Sequence, residues 1–125
     1  TLETLGVLHS ASMENKLLIL RTSELIARDF GLEIGAEPLE ESELLALLAN
    51  QLAYMIEYRL EFLMSLMYRL DVKERYIQEA LSPGAKLPAN IGLAKLVLER
   101  QKQRIFTKQF YKQQKPEDLE EGLEF

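Results

Sequence analysis

One histidine, a pair of glutamates and a run of lysines and arginines are the side chains from which this chain could build chemistry. His9 is the only histidine among the 125 residues, and there is no cysteine. An imidazole that moves protons or binds a metal needs a second group to set its tautomer or share the ligation. None stands near His9 in sequence, so it reads as a residue without a chemical role. The lack of thiols removes disulfides, thiolate metal sites and a cysteine nucleophile together, and is compatible with a reducing compartment. Glu57 and Glu61 lie four residues apart and share a helix face, but helical di-metal sites pair such carboxylates with Glu-x-x-His motifs. The histidines are missing, so the pair reads as a solvated edge. Residues 82–92 contain Gly84 and Gly92 without the Gly-Lys-Ser/Thr arrangement that cradles a phosphate. No catalytic constellation emerges, and the expectation is a non-enzymatic protein with no cofactor and no metal.

The sharpest signal is basic. Arg100, Arg104, Lys108 and Lys112 recur every four residues, with Lys102 and Lys115 beside them and Gln101, Gln103, Gln109, Phe110 and Tyr111 interleaved. Four-residue spacing places the first four on one face of a helix, which makes them a candidate stripe for a polyanion or a charged partner. A helix-turn-helix reader of DNA touches bases with the first turn of its recognition helix. Here that turn, from Pro88 to Leu93, is apolar, so sequence-specific reading does not fit, and nonspecific nucleic-acid binding stands as the alternative to a protein interface.

Charge is segregated along the whole chain. The net charge is −5, yet residues 1–50 carry three basic and nine acidic groups, residues 86–115 eight and one, and residues 116–125 five acidic groups alone. An acidic front and a basic back can meet within one chain or between two. With 47% hydrophobic and 28% charged residues the composition is that of a globular domain long enough to bury its own core.

The elements that must carry these groups are helices. From Ser42 to Leu70 there is neither Pro nor Gly, and Leu45, Leu48, Leu52, Ile56, Leu60, Leu63, Met67 and Leu70 recur in steps of three and four, the period of one helix face. Leu44, Leu47, Met55, Phe62, Met64 and Leu66 widen that face beyond a simple two-stranded seam. The spacing predicts a single central rod of about 43 Å at 1.5 Å per residue. Ahead of it, Ser12 is the expected N-cap of a helix over 13–30 that buries Leu17, Leu20, Leu25, Ile26 and Phe30 and stops at Gly31. Pro38 is expected to open the rod. After it, Asp71-Val72-Lys73-Glu74 has the form of a capping box and predicts a short helix ended by Ser82-Pro83-Gly84. A last long helix starts at Pro88, or with Asn90 as cap, and runs to about Gln113. Tyr54, Tyr58 and Tyr68 with Met55, Met64 and Met67 read as core and boundary packing, and Arg69 beside Asp71 as a pair that locks a junction.

The fold expected is all-α: three long helices plus one short helix in a bundle around a long central helix. The organisation is an N-terminal extension over 1–12, a bundle over 13–115 and an acidic C-terminal tail over 116–125. Residues 1–12 lack the basic lead and apolar centre of a signal peptide, and no apolar run spans a bilayer, so the reading is a cytoplasmic protein with no membrane partner. Three short motifs, Ile26-Ala27-Arg28-Asp29-Phe30-Gly31, Tyr68-Arg69-Leu70-Asp71-Val72 and Glu99-Arg100-Gln101, give the chain a likeness that spans most of its length: it resembles small uncharacterised bacterial all-helical proteins. The resemblance supports the helix boundaries and implies no activity. The rod has more apolar circumference than its neighbours in the chain can cover, so a homodimer is the expected state, with another protein partner as a further expectation.

Overall fold

The computed structural model describes residues 2–35 and 39–113, with side chains at 14–35 and 39–108. These residues form five helices and no strand: α1 (Leu2–Phe30), α2 (Glu41–Tyr58), α3 (Leu60–Arg69), α4 (Glu74–Leu81) and α5 (Ala89–Gln113). The all-helical architecture holds. Its count differs because the expected rod is two helices.

The rod breaks at Arg59, which leaves helical geometry at φ −143° and ψ 45°. No Pro or Gly causes this. The reason is tertiary: α3 must turn to place Leu63, Leu66 and Met67, followed by Leu70, in the same buried cluster as Leu44, Leu48, Leu52 and Met55 of α2 and Leu93, Ala94 and Val97 of α5. A straight 29-residue rod would carry those four side chains past the core. The bend puts them into it, at the expense of leaving Leu60 of the expected face on the surface.

α5 is the element the others share, packing against α1, α2 and α4. It runs antiparallel to α2, since Asn90 Nδ2 donates to Ala49 O at 3.1 Å near the start of α5 while Lys102 reaches Glu41 at the start of α2. Asn90 is therefore occupied with α2 and is not a cap. The Pro88 carbonyl accepts the first bond of α5, from the Gly92 N–H at 2.9 Å. A Cβ on Gly92 would stand 3.3 Å from the Ala80 Cβ, so the missing side chain lets α4 lie close on α5.

Helix α1 starts at Leu2, so Ser12 lies inside it rather than capping it. Residues 2–12 contain no Pro and only Gly6, whose cost of about 1 kcal/mol does not end a helix. The buried face of α1 also differs from expectation. Leu17 and Leu20 are exposed, and Ile19, Thr22, Ser23, Ile26 and Phe30 are buried. Burial of two hydroxyls is tolerated because both are satisfied within the helix: Thr22 Oγ1 donates to Leu18 O and Ser23 Oγ to Leu20 O, each at 2.7 Å. Gly31 ends α1 in the left-handed conformation (φ 69°), as expected, and the Leu32 N–H returns to Ala27 O at 3.0 Å. Pro38 and the acidic tail over 116–125 lie outside the described residues.

The α3–α4 corner uses Asp71 in a different way from the one its sequence suggests. Asp71 is not an N-cap: it has φ 61°, and it follows α3 as the left-handed residue of a Schellman closure. Its N–H donates to Tyr68 O at 3.0 Å, and the Val72 N–H donates to Met67 O at 3.2 Å. Buried Val72 and Met67 supply the apolar contact that accompanies such a closure. Helix α4 begins after Lys73, and the Ser82 hydroxyl closes it on Glu79 O at 2.8 Å.

Candidate interaction surface

Two surfaces compete as the working part of the molecule, the basic stripe of α5 and the apolar collar at the α2–α3 bend. Along the stripe, the structure gives the first members internal tasks. Arg100 Nε donates to the Leu70 carbonyl at 2.9 Å, and its Nη2 stands 3.7 Å from Asp71 Oδ2. The ion pair of Asp71 is thus made to Arg100, and not to Arg69. Arg104 Nη1 donates to Gln101 Oε1 at 3.3 Å. Gln101, fully buried, in turn donates to Asp29 Oδ2 at 3.2 Å, which ties α5 to the end of α1. Lys102 binds Glu41 and, at 3.6 Å, Glu99. The hydrogen bond and charge of Glu41 outweigh partial burial and hold the Lys102 ammonium above its usual pKa. Arg104 and Lys108 remain exposed, and Lys112 lies on α5 with its side chain outside the described residues.

At the bend, Tyr58 is 66% and Tyr54 52% exposed, and Leu60 and Phe62 are also exposed large apolar side chains, with Leu47 exposed nearer the start of α2. The Tyr54 and Tyr58 rings lie 5.1 Å apart at 43°, within the range of a tilted aromatic pair. The Arg59 guanidinium sits 4.4 Å from the Phe62 ring centre, a cation–π contact. Around these stand Glu57, Arg59 and Glu61, all exposed. The bend is also chemically open. Arg59 N–H bonds Met55 O at 2.8 Å, and Leu63 N–H bonds Arg59 O at 3.0 Å. Between them the N–H groups of Leu60, Glu61 and Phe62 have no backbone partner among the described residues, and no side chain caps α3.

The tyrosines and methionines part company here. Met55 and Met67 are core and Met64 is half-buried, whereas Tyr54, Tyr58 and Tyr68 are surface. Tyr68 donates to Glu74 Oε1 at 3.2 Å, which lifts its phenol above the usual pKa. The neighbouring Tyr76 accepts from Arg75 Nη2 at 2.9 Å and is held below it. Glu57 and Glu61 fall on opposite sides of the break, and among the described residues no three His, Asp or Glu side chains converge as a metal site would require. His9 lies on α1 with its side chain outside the described residues. Among the described residues no helix is long and apolar enough to cross a membrane.

Sequence reasoning missed the grip of Arg100 on Leu70 and the burial of Gln101. A signal for Gln101 existed: it continues the step of three and four from Leu93, Ala94, Val97 and Leu98. None pointed to Arg100, whose partner is a backbone carbonyl 30 residues away. No protein-family model, curated protein or solved structure matches the chain.

Proposed function

We propose that this chain is a non-enzymatic helical interaction or assembly protein that works as a homodimer through the exposed face where α2 meets α3. The observation that supports this reading is the collar of exposed aromatic and aliphatic side chains at Arg59: Tyr54, Tyr58, Leu60 and Phe62. Tyrosines with a cation–π arginine beside them are the side chains enriched where one protein buries itself on another. Removing a ring of this kind from water offsets the loss of translational freedom on association, which a scatter of single exposed leucines does not. The nucleic-acid reading has less to draw on, because Arg100 and Lys102 already hold the fold together and Arg104 and Lys108 supply few phosphate contacts.

Light scattering of the full chain at micromolar concentration is expected to return a dimer. Tyr58→Glu is expected to weaken it at least about tenfold, the equivalent of about 1.4 kcal/mol, without loss of helical signal. A monomer for the unmodified chain at low salt would refute the homodimer.

A further inference from the structure

The break at Arg59 divides the molecule into two parts, α1–α2 and α3–α5, whose mutual contacts are all made by chain segments on opposite sides of it. Lys102 of α5 meets Glu41 of α2, Asn90 of α5 meets Ala49 of α2, and Gln101 of α5 meets Asp29 of α1. Nothing local demands the break. The residues from Glu41 to Arg69 include no Pro and no Gly, and the bend leaves three N–H groups, those of Leu60, Glu61 and Phe62, without backbone partners.

We infer that the partner is a second copy of this chain, joined by exchange: α2 and α3 straighten into one helix at Arg59, and α3–α5 of each protomer docks on α1–α2 of the other. This rests on the dimer reading above. Straightening closes the hydrogen bonds from residues 60, 61 and 62 to 56, 57 and 58, so the hinge gains backbone bonds on opening. The contacts given up within one chain reform between two, since the second copy presents identical surfaces.

The exposed side chains agree with a straight rod. Leu47, Tyr54, Tyr58 and Phe62 are exposed and separated by seven, four and four residues, and on a continuous helix they form one stripe. In the bent chain the stripe is interrupted at Arg59. Two such rods pairing antiparallel about Tyr58 set Tyr54 of each opposite Phe62 of the other. The same pairing brings Glu43, in the acidic first turn of α2, toward Arg69 in the last turn of the other α3, while Glu41 keeps its Lys102 partner. Charge complementarity of this kind is what an antiparallel copy offers, because each rod carries both signs at opposite ends.

The chain has no native cysteine, so a placed pair reads the exchange directly. In Glu41→Cys/Lys102→Cys, a short bis-maleimide bridges positions that face each other across the two parts. The expected result is a dimer by light scattering in which bridging yields covalent pairs of twice the 14.4 kDa chain mass. A dimer whose bridges stay within single chains would overturn the exchange and leave the dimer standing, and a monomer with internal bridges would overturn both. Leu60→Pro sharpens the assignment, because proline is accepted at the first position of α3 and excluded from the interior of a straight helix. That variant is expected to remain helical by circular dichroism and become monomeric with internal bridges. Persistence of interchain bridges in Leu60→Pro would refute hinge straightening, and if the variant does not fold, the bridging pattern of the parent pair decides the question alone.

Discussion

The bend at Arg59 and the corner at Asp71 are both interruptions of helix without glycine or proline, separated by the ten residues of α3 and Leu70, and they are built in different ways. At the corner the groups that close α3 have counterparts, although Lys73 caps α4 with no side-chain bond. The Asp71 and Val72 N–H groups return to α3, Val72 covers Met67, and Arg100 holds the Leu70 carbonyl. At the bend no side chain caps α3, three N–H groups lack backbone partners, and the nearest large side chains face water. The corner is a made joint, closed by its own backbone bonds and clasped by Arg100 of α5, and the bend is imposed by packing elsewhere. A joint that owes its shape to distant contacts changes shape when those contacts are supplied by another chain.

The contrast can be tested through the corner. Met67→Ala removes a fully buried side chain that both fills the core and carries the Schellman contact, and is expected to cost about 2–4 kcal/mol in denaturant unfolding. A cost under about 1 kcal/mol would mean that the corner is no better packed than the bend. Arg100→Ala strips the charge-assisted bond from the Leu70 carbonyl, and because Arg100 is partly exposed the expected loss is about 1–2 kcal/mol. Lysine at the same position is expected to restore only part of it, since one point charge does not reproduce the guanidinium geometry. The smallest effect has the opposite sign. Asp71→Gly relieves a side chain held at φ 61° and is expected to stabilise by about 0.5–1 kcal/mol, less a few tenths for the long, exposed ion pair with Arg100. If glycine destabilises instead, the Asp71 carboxylate matters more to the corner than its backbone does.

The legibility of these regions in the sequence follows the same division. Gly31 could be read as a stop because left-handed geometry is what glycine is for, and the Ser82-Pro83-Gly84 stop was equally plain. Asp71 was legible as a helix boundary and not in its role, since aspartate favours both the N-cap and the left-handed residue after a helix and only the fold chooses between them. Arg59 was illegible. Every residue around it supports helix, and the cause of the break lies in where Leu63, Leu66 and Met67 must go. The stripe of Arg100, Arg104, Lys108 and Lys112 was visible as a spacing, but spacing does not show that Arg100 reaches back 30 residues to another helix end. In α1 the apolar pattern favoured Leu17 and Leu20 over Thr22 and Ser23, because hydropathy does not record that a hydroxyl can satisfy itself on its own helix.

Where Gly92 meets Ala80, a Cβ at residue 92 would stand 3.3 Å from the Ala80 Cβ, so the two helices touch there with no room for a further carbon. The contact is two small residues face to face, so it sets how near α4 lies to α5 and leaves the lengthwise register of α4 to other groups. The axial position of α4 is held by Ile77, buried in the core cluster, together with the Asp71 closure on one side and the Ser82 turn on the other. Shortening or lengthening either connection by one residue would pull Ile77 from its place in the core as the helix moved along its track.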